Sequence, residues 1–362
     1  MFAGHAKGGY LSLRHRFYML TYYNAIVSPC QVVSASRRGR VLRRGGKRRA
    51  RYPEEGGVPH PVAYNLSGSN AANHPTVLAS EELGRLLAER TDGAITIDVF
   101  SGGVLGGETT VLEQVQLGAT AMTRVSGAMM ANVDETFNAL FLPDVWEGRD
   151  EMFAALDGEL GEYFSNSARE SGLGILAWFD AGTRNFYTSV GPIYSPDDLQ
   201  GLSIRTMETP LMHSLTEAFG ASPVGLPAPD VYSAIQTGVV DGAEHNPLVW
   251  LNNNHSEVAP YFSFTHHLII PEPVLINVDI WDSLSVEHQE IFRQAALEAA
   301  VYQRQLWHQA EQEAIETAIA AGASVNEITA EQRAAFAALA LPVLDDFAHI
   351  QYHIDMVRDA QR

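Results

Sequence analysis

The sequence predicts an α/β protein with two domains, each a mostly parallel sheet flanked by helices. The chain of 362 residues is long enough for two domains of ordinary size. From residue 62 onward, strand-like segments alternate with segments of helical periodicity, a pattern typical of parallel α/β sheets. A long helical segment begins after Ser285 and continues to about Ala321. At 1.5 Å per residue it would extend roughly 50 Å, so we expect it to brace both domains.

The individual elements follow from local periodicity and composition. Ala94–Phe100 (A-I-T-I-D-V-F), for example, alternates with period two and is rich in β-branched residues, which predicts a strand. The predicted strands are Val62–Leu66, Ala94–Phe100, Thr120–Val125, Leu173–Phe179, Arg184–Ser189, Leu202–Met207 and Val274–Val278. The predicted helices before the long one are Thr76–Arg90, Thr109–Leu117, Glu151–Ser171, Pro210–Phe219 and Val231–Thr237.

The charge is divided between a basic head and an acidic body. Residues 1–53 contain 12 of the 24 Lys and Arg residues and no acid, so residues 54–362 carry the other 12 against all 43 acids, a net charge of −31. Such a surface repels the phosphates of nucleic acid, which argues against a nucleic-acid role for the body. An anionic ligand must then be held by local arginines inside a cleft. A salty habitat or a bias in composition would produce the same acidity.

The first 60 residues predict a basic, disordered extension. Residues 34–51 are basic and of low complexity, and the apolar stretch Phe17–Pro29 lacks a clean signal-peptide cleavage site. The extension is either an arm for anionic surfaces or, as we favour, a misassigned start or degenerate leader with no folded role. Cys30 is the only cysteine, so the chain forms no intramolecular disulfide. No run of 18 apolar residues predicts a membrane-spanning helix.

The segment 238–247 (G-V-V-D-G-A-E-H-N-P) is the strongest candidate for part of a ligand site. It follows a helical segment and ends in a turn-forming Asn-Pro pair. Glu244, His245 and Asn246 therefore lie together where an element ends. Trp250, four residues beyond Asn246, is interpreted as a core or cleft-wall residue that could stack on a sugar ring.

Two isolated arginines precede this segment in strand-like contexts. Arg184 lies in G-T-R-N-F-Y-T-S and Arg205 in G-L-S-I-R-T-M. The planar guanidinium group binds a carboxylate through two parallel charge-assisted bonds and stays ionised in any environment. The residues alone leave open whether these arginines bind a small carboxylate or pair with nearby acids.

Other kinds of site fit the sequence less well. The glycine-rich segment 102–107 lacks the motifs of phosphate-binding loops, so its glycines are expected to allow tight turns, with Glu108 facing a cleft or capping a helix by its charge. His266 and His267 would point to opposite faces of a strand, and the histidines as a group lack metal-ligand spacing. No nucleophile motif occurs. We therefore predict no catalytic residue, cofactor or metal, and keep a cation bridged through Glu244 as an alternative.

Taken in order, these motifs resemble the solute-binding proteins of tripartite ATP-independent periplasmic (TRAP) transporters of the DctP type. The resemblance covers roughly residues 62–350. It rests on N-H-P near the first helix, T-D-G-A-I-T-I-D-V-F-S-G-G-V-L-G-G-E, F-L-P-D-V-W, G-T-R-N-F-Y-T-S, L-Q-G-L-S-I-R-T-M, D-V-Y-S-A-I-Q-T-G-V-V-D-G-A-E-H-N-P, and the closing strand and long helix.

The resemblance implies a two-domain, periplasmic-binding-protein-like fold joined by crossing strands and the long helix. After the extension 1–60, domain I would comprise 61–182 with 270–310, and domain II 183–269 with 311–362. It also implies a periplasmic receptor without catalytic turnover. Such a receptor binds an organic acid between its domains and delivers it to membrane permease subunits.

The resemblance also implies roles for individual residues. Arg205 would form the main salt bridge to the ligand carboxylate, with Arg184 and Asn246 lining the site. The remaining contacts expected in or beside the ligand site are Asn73, His74, Glu108, Glu244 and Trp250. The combination of Glu244, Asn246 and His74 favours a hydroxyl-rich acid such as a uronate, with a C4-dicarboxylate next.

The chain departs from this family pattern in two places. The first 53 residues do not read as a secretion signal, and Pro227-Ala228-Pro229 replaces a bulky residue, which predicts a roomier pocket. Two alternative functions, an enzyme and a sensor, would use the same cleft. An enzyme of sugar-acid metabolism would need a poised acid or base, and a sensor without transport would differ only in its partners.

Overall fold

A computed structural model describes residues 61–361, which form two mixed β-sheets with helices packed on their faces. The predicted extension 1–60 lies outside the described residues. The strands are β1 (Val62–Ser67), β2 (Ile95–Phe100), β3 (Met122–Arg124), β4 (Leu173–Phe179), β5 (Thr183–Thr188), β6 (Ser203–Thr206), β7 (Ser222–Gly225), β8 (Gly242–His245), β9 (Tyr261–Ile269), β10 (Glu272–Asn277) and β11 (Ser324–Glu327).

Helices fill most of the connections between these strands. In chain order they are α1 (Pro75–Arg90), α2 (Glu108–Gln116), α3 (Gly127–Met130), α4 (Arg149–Leu156), α5 (Glu159–Glu170), α6 (Pro210–Ala218), α7 (Val231–Gln236), α8 (Pro247–Asn252), α9 (His255–Val258), α10 (Val278–Ser283), α11 (Val286–Ala320), α12 (Ala330–Asp345) and α13 (Gln351–Asp359). Short 3-10 helices lie at Glu135–Leu140, Pro196–Leu199, Ala228–Asp230 and Ala348–Ile350.

The two sheets have different strand orders. The first sheet runs β2-β1-β3-β10-β4 and the second runs β11-β9-β5-β8-β6-β7. We call the first sheet, with the elements packed on it, the first lobe, and the second sheet, with its elements, the second lobe. Among the described residues, five strand pairs are parallel and four are antiparallel. All four antiparallel pairs involve β5 or β10, because the chain enters these strands as it crosses from one sheet to the other.

Two of the three crossings of the described chain between the lobes are neighbours, and the long helix α11 makes the third. β4 leads into β5, and β9 leads into β10. Thr183 pairs with Ile269 in the second sheet, and Phe179 pairs with Glu272 in the first. The two crossings therefore run side by side. Gln303 of α11 holds one of them by accepting a hydrogen bond from the Asp180 amide and donating one to the Asp180 carbonyl, both at 2.8 Å.

The long helix α11 contacts both lobes, as the sequence predicts. It has 35 residues, begins at the Ser285 N-cap, and packs on α1 and β4 of the first lobe and on α8 and β11 of the second. Its buried positions recur every three or four residues and are mostly alanine, which allows neighbouring elements to approach closely. The buried residues are Phe292, Ala295, Ala296, Ala299, Ala300, Gln303, Trp307, Ala314 and Ala318.

The structure confirms the predicted α/β class with two helix-flanked sheets. The segment 151–171, predicted as one helix, is instead two helices, α4 and α5, separated at Asp157 and Gly158. The strands β7, β8, β9 and β11 were not predicted, since three of them have only four residues and β9 contains the histidine pair. The domain boundaries stay a prediction, because the described residues pack as one compact unit.

Gly242, at the start of β8, occupies a position that admits no side chain. A Cβ atom there would lie 2.2 Å from the Tyr187 carbonyl oxygen and 2.9 Å from the Thr188 Cα of the paired strand β5. Backbone atoms in the middle of a sheet cannot move aside without breaking the strand ladder. This close approach accounts for the glycine in D-G-A-E.

We expect Gly242→Ala to lower the free energy of unfolding by at least about 1–3 kcal/mol, the usual cost of overpacking. Urea unfolding followed by circular dichroism measures this change. Gly191→Ala is the matched control, because nothing lies within 4 Å of its added Cβ. Equal stabilities of the two variants would contradict the close approach at β8.

Candidate functional site

Arg205 lies in β6, with β7 on one side and β8 on the other. Its side chain is buried, and its Nε donates to the Leu226 carbonyl at 2.8 Å. No carboxylate of the described residues lies within ion-pair distance of this guanidinium. Burial lowers the pKa of Arg205, although Glu244 acts on it favourably at longer range. The arginine is therefore a desolvated cation without a counterion of its own.

The Arg205 side chain lines a cavity shared by the two lobes. Residues of the first lobe on its wall are Ser69, Asn70, Glu108, Arg124, Ser126 and Glu272. Residues of the second lobe on its wall are Arg205, Met207, Ala228, His245, Val249 and Asn253. Arg205 and Glu108 thus lie on opposite walls of one cavity. Arg124, His245 and Glu272 are additional ionisable residues that the predicted set of contacts does not contain.

The rim of this cavity is closed by direct contact between the lobes. A Cβ atom on Gly103 would lie 2.8 Å from the Pro229 ring, and one on Gly107 would lie 3.1 Å from Pro227. Across the same rim, Thr109 donates to a Glu208 carboxylate oxygen at 3.4 Å. The glycine-rich segment therefore allows the first lobe to meet the proline turn of the second. The roomier pocket expected from that turn stays a prediction.

His245 and Asn246 are positioned by the junction between β8 and α8. The Asn246 side-chain oxygen accepts from the Val249 amide at 2.9 Å and caps α8, while Pro247 occupies the first helical position. The backbone N–H of Asn246 donates to His245 Nδ1 at 2.9 Å. Burial, with the nearby charges of Arg184 and Arg205, lowers the pKa of His245 well below its ordinary value. His245 is thus neutral with its proton on Nε2, a donor beside the cavity.

Arg184 forms a buried ion pair with Glu244. Its Nε and Nη2 donate to the two carboxylate oxygens, and Nη2 also donates to the Glu244 carbonyl at 2.9 Å. His267 Nε2 lies 3.7 Å from the same carboxylate. Burial opposes ionisation of Glu244, but Arg184 and His267 outweigh it and keep the pKa of Glu244 below its ordinary value. Neither Arg184 nor Glu244 is among the residues that line the cavity.

A second polar network covers the opposite wall. Arg124 Nη1 donates to Glu272 Oε1 at 2.9 Å and to Glu108 Oε1 at 3.1 Å. Its Nη2 contacts the Ser69 hydroxyl, and the other Glu108 oxygen accepts from the Ser126 amide at 3.0 Å. Burial raises the pKa of Glu272 to about 7, against the opposing effect of Arg124.

Comparison with known proteins places the chain in a family. Residues 66–350 match the model of the bacterial extracellular solute-binding protein, family 7, DctP. The chain belongs to this family. It is the solute-binding subunit of a TRAP transporter and not an enzyme, a periplasmic receptor that takes up a small carboxylate and delivers it to the membrane permease subunits. Among the described residues, no helix is long and apolar enough to cross a membrane.

The relatives of this TRAP receptor include proteins with bound sugar acids. A solute-binding protein of Chromohalobacter salexigens is 32% identical over 295 residues, 80% of this chain and 87% of the relative. A TRAP periplasmic solute-binding protein of Sulfitobacter sp. NAS-14.1, solved with bound β-D-galacturonate, is 32% identical with a TM-score of 0.79, covering 82% of this chain and all of that one. One from Chromohalobacter salexigens with D-glucuronate is 31% identical with a TM-score of 0.79, covering 82% and 99%.

Three residues expected to contact the ligand of the TRAP receptor are not among the residues that line this cavity. Trp250 requires a correction: it is fully buried, donates to the Ala259 carbonyl at 2.8 Å and packs on Phe262, so it offers no face to a sugar ring. Asn73 is exposed and away from the cavity wall. His74 is buried as the N-cap of α1, where Nδ1 accepts from the Thr76 amide.

Of the three cavity residues missing from the predicted contacts, one has a signal in the sequence and two have none. His245 lies inside the motif that carries Glu244 and Asn246, so sequence reasoning could have included it. Arg124 lies in the three-residue strand β3, and Glu272 lies at the start of β10, 148 residues further along the chain. Only the pairing of β3 with β10 brings these two side chains together. In the described residues, no group of three or more His, Cys, Asp or Glu side chains is arranged to hold a metal ion.

The Arg184–Glu244 pair gives a stability prediction. Arg184→Met leaves Glu244 buried without its main counterion, so we expect the free energy of unfolding at neutral pH to fall by about 3–5 kcal/mol. The double variant Arg184→Met/Glu244→Met removes both charges and should recover most of this loss. Urea unfolding of the wild type and both variants measures these free energies. A single variant as stable as the wild type would contradict a buried ion pair.

His74 gives a prediction for the pH dependence of stability. Burial, and secondarily Arg124, lowers its pKa from 6.5 to about 3 in the folded protein. Between pH 6.5 and 3, His74 is therefore protonated in the unfolded chain but neutral in the folded protein. The stability due to neutral His74 is present above pH 6.5 and is lost as the pH falls toward 3. His74→Asn keeps a capping oxygen and removes this dependence.

We expect the slope of unfolding free energy against pH, between roughly pH 6 and 4, to be shallower in His74→Asn by up to about 1.4 kcal/mol per pH unit. Denaturant titrations at several pH values measure this slope. Gln305→Asn, on the exposed face of α11, is the control and should keep the wild-type slope because it removes no titratable group. The same slope in all three proteins would show that His74 protonates normally in the folded state.

Proposed function

We propose that this TRAP receptor binds a hexuronate such as galacturonate or glucuronate, with the ligand carboxylate on Arg205. The observation that carries the proposal is the guanidinium group of Arg205, buried in a cavity shared by both lobes and without a protein carboxylate as partner. A buried cation without a counterion is costly unless a ligand supplies the missing charge. Solved relatives with bound galacturonate and glucuronate support the same class of ligand.

The other polar residues of the cavity suit the hydroxyl groups of such a ligand. On the second lobe, His245 offers a neutral imidazole N–H. On the first lobe, Glu108, Asn70 and Ser69 offer carboxylate, amide and hydroxyl groups. Hydroxyl groups both donate and accept, so a wall of mixed donors and acceptors satisfies them better than it satisfies a second carboxylate.

Arg184 and Glu244 take a different part in this proposal from the one expected from sequence. Because each already satisfies the other's charge, they hold β5 and β8 together directly behind the cavity. This pairing fixes the end of β8, where His245 lines the cavity and Asn246, which is not among the lining residues, caps α8. We propose Asn246 as a positioning residue that also borders the ligand, through its cap on α8.

Ligand binding would favour the closed arrangement of the lobes. The carboxylate anchors on a strand of the second lobe, while the hydroxyl groups contact the first lobe. A ligand that bridges both walls binds the closed state better than the open one, and this difference in affinity drives closure.

A thermal-shift experiment with galacturonate, glucuronate, galactonate, succinate and pyruvate tests the proposal. A uronate at about 100 times its dissociation constant should add about 2.7 kcal/mol of apparent stability. We expect Arg205→Ala to abolish the uronate shift, because losing a shielded bidentate contact costs roughly 3 kcal/mol or more, at least a 100-fold loss of affinity.

Two controls accompany this test. Arg85→Ala, an exposed arginine on α1, should keep the full shift. Circular dichroism of ligand-free Arg205→Ala establishes that the variant is folded. A uronate shift retained in a folded Arg205→Ala protein would overturn the assignment of the anchor, and no shift with either uronate would overturn the ligand class.

A further inference from the structure

The first-lobe wall of the cavity holds one cation between two acids. Arg124 contacts Glu272 at 2.9 Å and Glu108 at 3.1 Å, and all three residues line the cavity that Arg205 lines from the other side. Arg124 and Glu272 are buried, so water screens their charges poorly. The wall therefore carries a net charge of −1 when both acids are ionised, and zero when one acid is protonated.

The two arginines of the cavity are consequently not equivalent. Arg205 has no carboxylate partner, whereas Arg124 is already neutralised by residues on either side. An anion placed near Arg205 gains a counterion. An anion placed near Arg124 meets two carboxylates as well as the guanidinium, so it gains no net attraction.

Two polar atoms of this network are unsatisfied among the described residues. Glu272 Oε2 and Arg124 Nε are both buried without a hydrogen-bond partner in the structure. One is an acceptor and the other a donor. A hydroxyl group can supply a proton to the first and a lone pair to the second, whereas a carboxylate has no proton to give.

We propose that Glu272 and Glu108, flanking Arg124, form a subsite that accepts the hydroxylated end of the ligand and rejects a second carboxylate. The inference rests on the proposed function and narrows it. The receptor would take monocarboxylic sugar acids with the acid at Arg205, and would exclude aldarates and simple dicarboxylates by charge repulsion at the far wall.

The charge of this wall depends on pH through Glu272. The charged groups that act on it are Arg124 of β3, Glu108 of α2, Arg184 of β5 and Asp180 between β4 and β5. Burial is the largest effect and sets the pKa of Glu272 at about 7. Glu272 therefore gains its negative charge as pH rises through neutrality, and rejection of a second carboxylate should become stronger over the same range.

The test compares galacturonate, a monocarboxylate that closes to a pyranose ring, with galactarate, an open-chain dicarboxylate of the same carbon skeleton. Isothermal titration calorimetry of the full chain at pH 8 should give at least about 100-fold weaker binding for galactarate, since an unpaired like charge near the wall is strongly disfavoured. In wild type the preference for galacturonate should shrink about 10-fold or less on lowering the pH to 6, because the Glu272 charge changes by at most one unit.

Variants separate charge from shape. Glu272→Gln and Glu108→Gln keep size and hydrogen bonding but remove a charge, and each should reduce the galacturonate preference by about 10-fold. The double variant leaves Arg124 uncompensated and should bind galactarate nearly as well as galacturonate. Glu272→Gln should also lose the pH dependence of the preference between pH 6 and 8, whereas Glu108→Gln should keep it.

The outcomes distinguish the two proposals. If galacturonate does not bind the wild type, the proposed function fails, and this inference with it. If galacturonate binds but galactarate binds within 3-fold of it at pH 8, the proposed function stands and the subsite is overturned. A strong preference that is unchanged in both single variants and at both pH values would likewise overturn it, because rejection would then arise from ligand shape.

Discussion

The uncompensated charge of Arg205 is the constraint on which the cavity depends. Desolvating a guanidinium group without a counterion is unfavourable, and here burial outweighs the distant acids in its effect on the pKa. Among the described residues, the one direct hydrogen-bond partner of the Arg205 side chain is the Leu226 carbonyl, just after β7. The folded protein thus keeps a site that a ligand carboxylate would complete. A carboxylate bound there would not bear the cost of desolvating the arginine, because the guanidinium group is already buried in the folded protein.

Arg184 illustrates the opposite solution with the same side chain. Arg184 lies in β5, which is separated from the Arg205 strand β6 by β8. Its charge is neutralised by Glu244 of β8. One arginine is therefore paired with a carboxylate within the sheet, and the other has no carboxylate partner among the described residues. A similar contrast separates Arg205 from Arg124 on the opposite wall, where Glu108 and Glu272 neutralise the cation. Local charge balance, and not the number of arginines, decides where an anion can bind.

The two lobes meet through features that leave little space between them. Glycines of the first lobe face prolines of the second at the rim, and the two side-by-side crossings, one of them held by Gln303, tie the sheets together. The long helix α11 packs on both lobes with a face of alanines. Together these contacts allow a closed cavity whose walls come from segments distant in sequence. The acidity of the body, at −31 over residues 54–362, makes this shielding from the global field important for an anionic ligand.

The sequence by itself determined the elements with strong local periodicity and the motifs that carry ligand-binding chemistry. The strand Leu173–Phe179, the helix α1 and the 35-residue helix follow from short-range patterns of apolar residues and caps. The motifs around Arg205 and Glu108 mark both residues as ligand contacts, which stays a prediction. Tertiary structure decided which polar residues share a partner. Arg124 meets Glu272 only because β3 pairs with β10, and Trp250 is in the core because α8 packs its ring on Phe262. Such outcomes depend on contacts between residues far apart in the chain, and local periodicity carries no information about which distant residue will neutralise a charge or cover a ring.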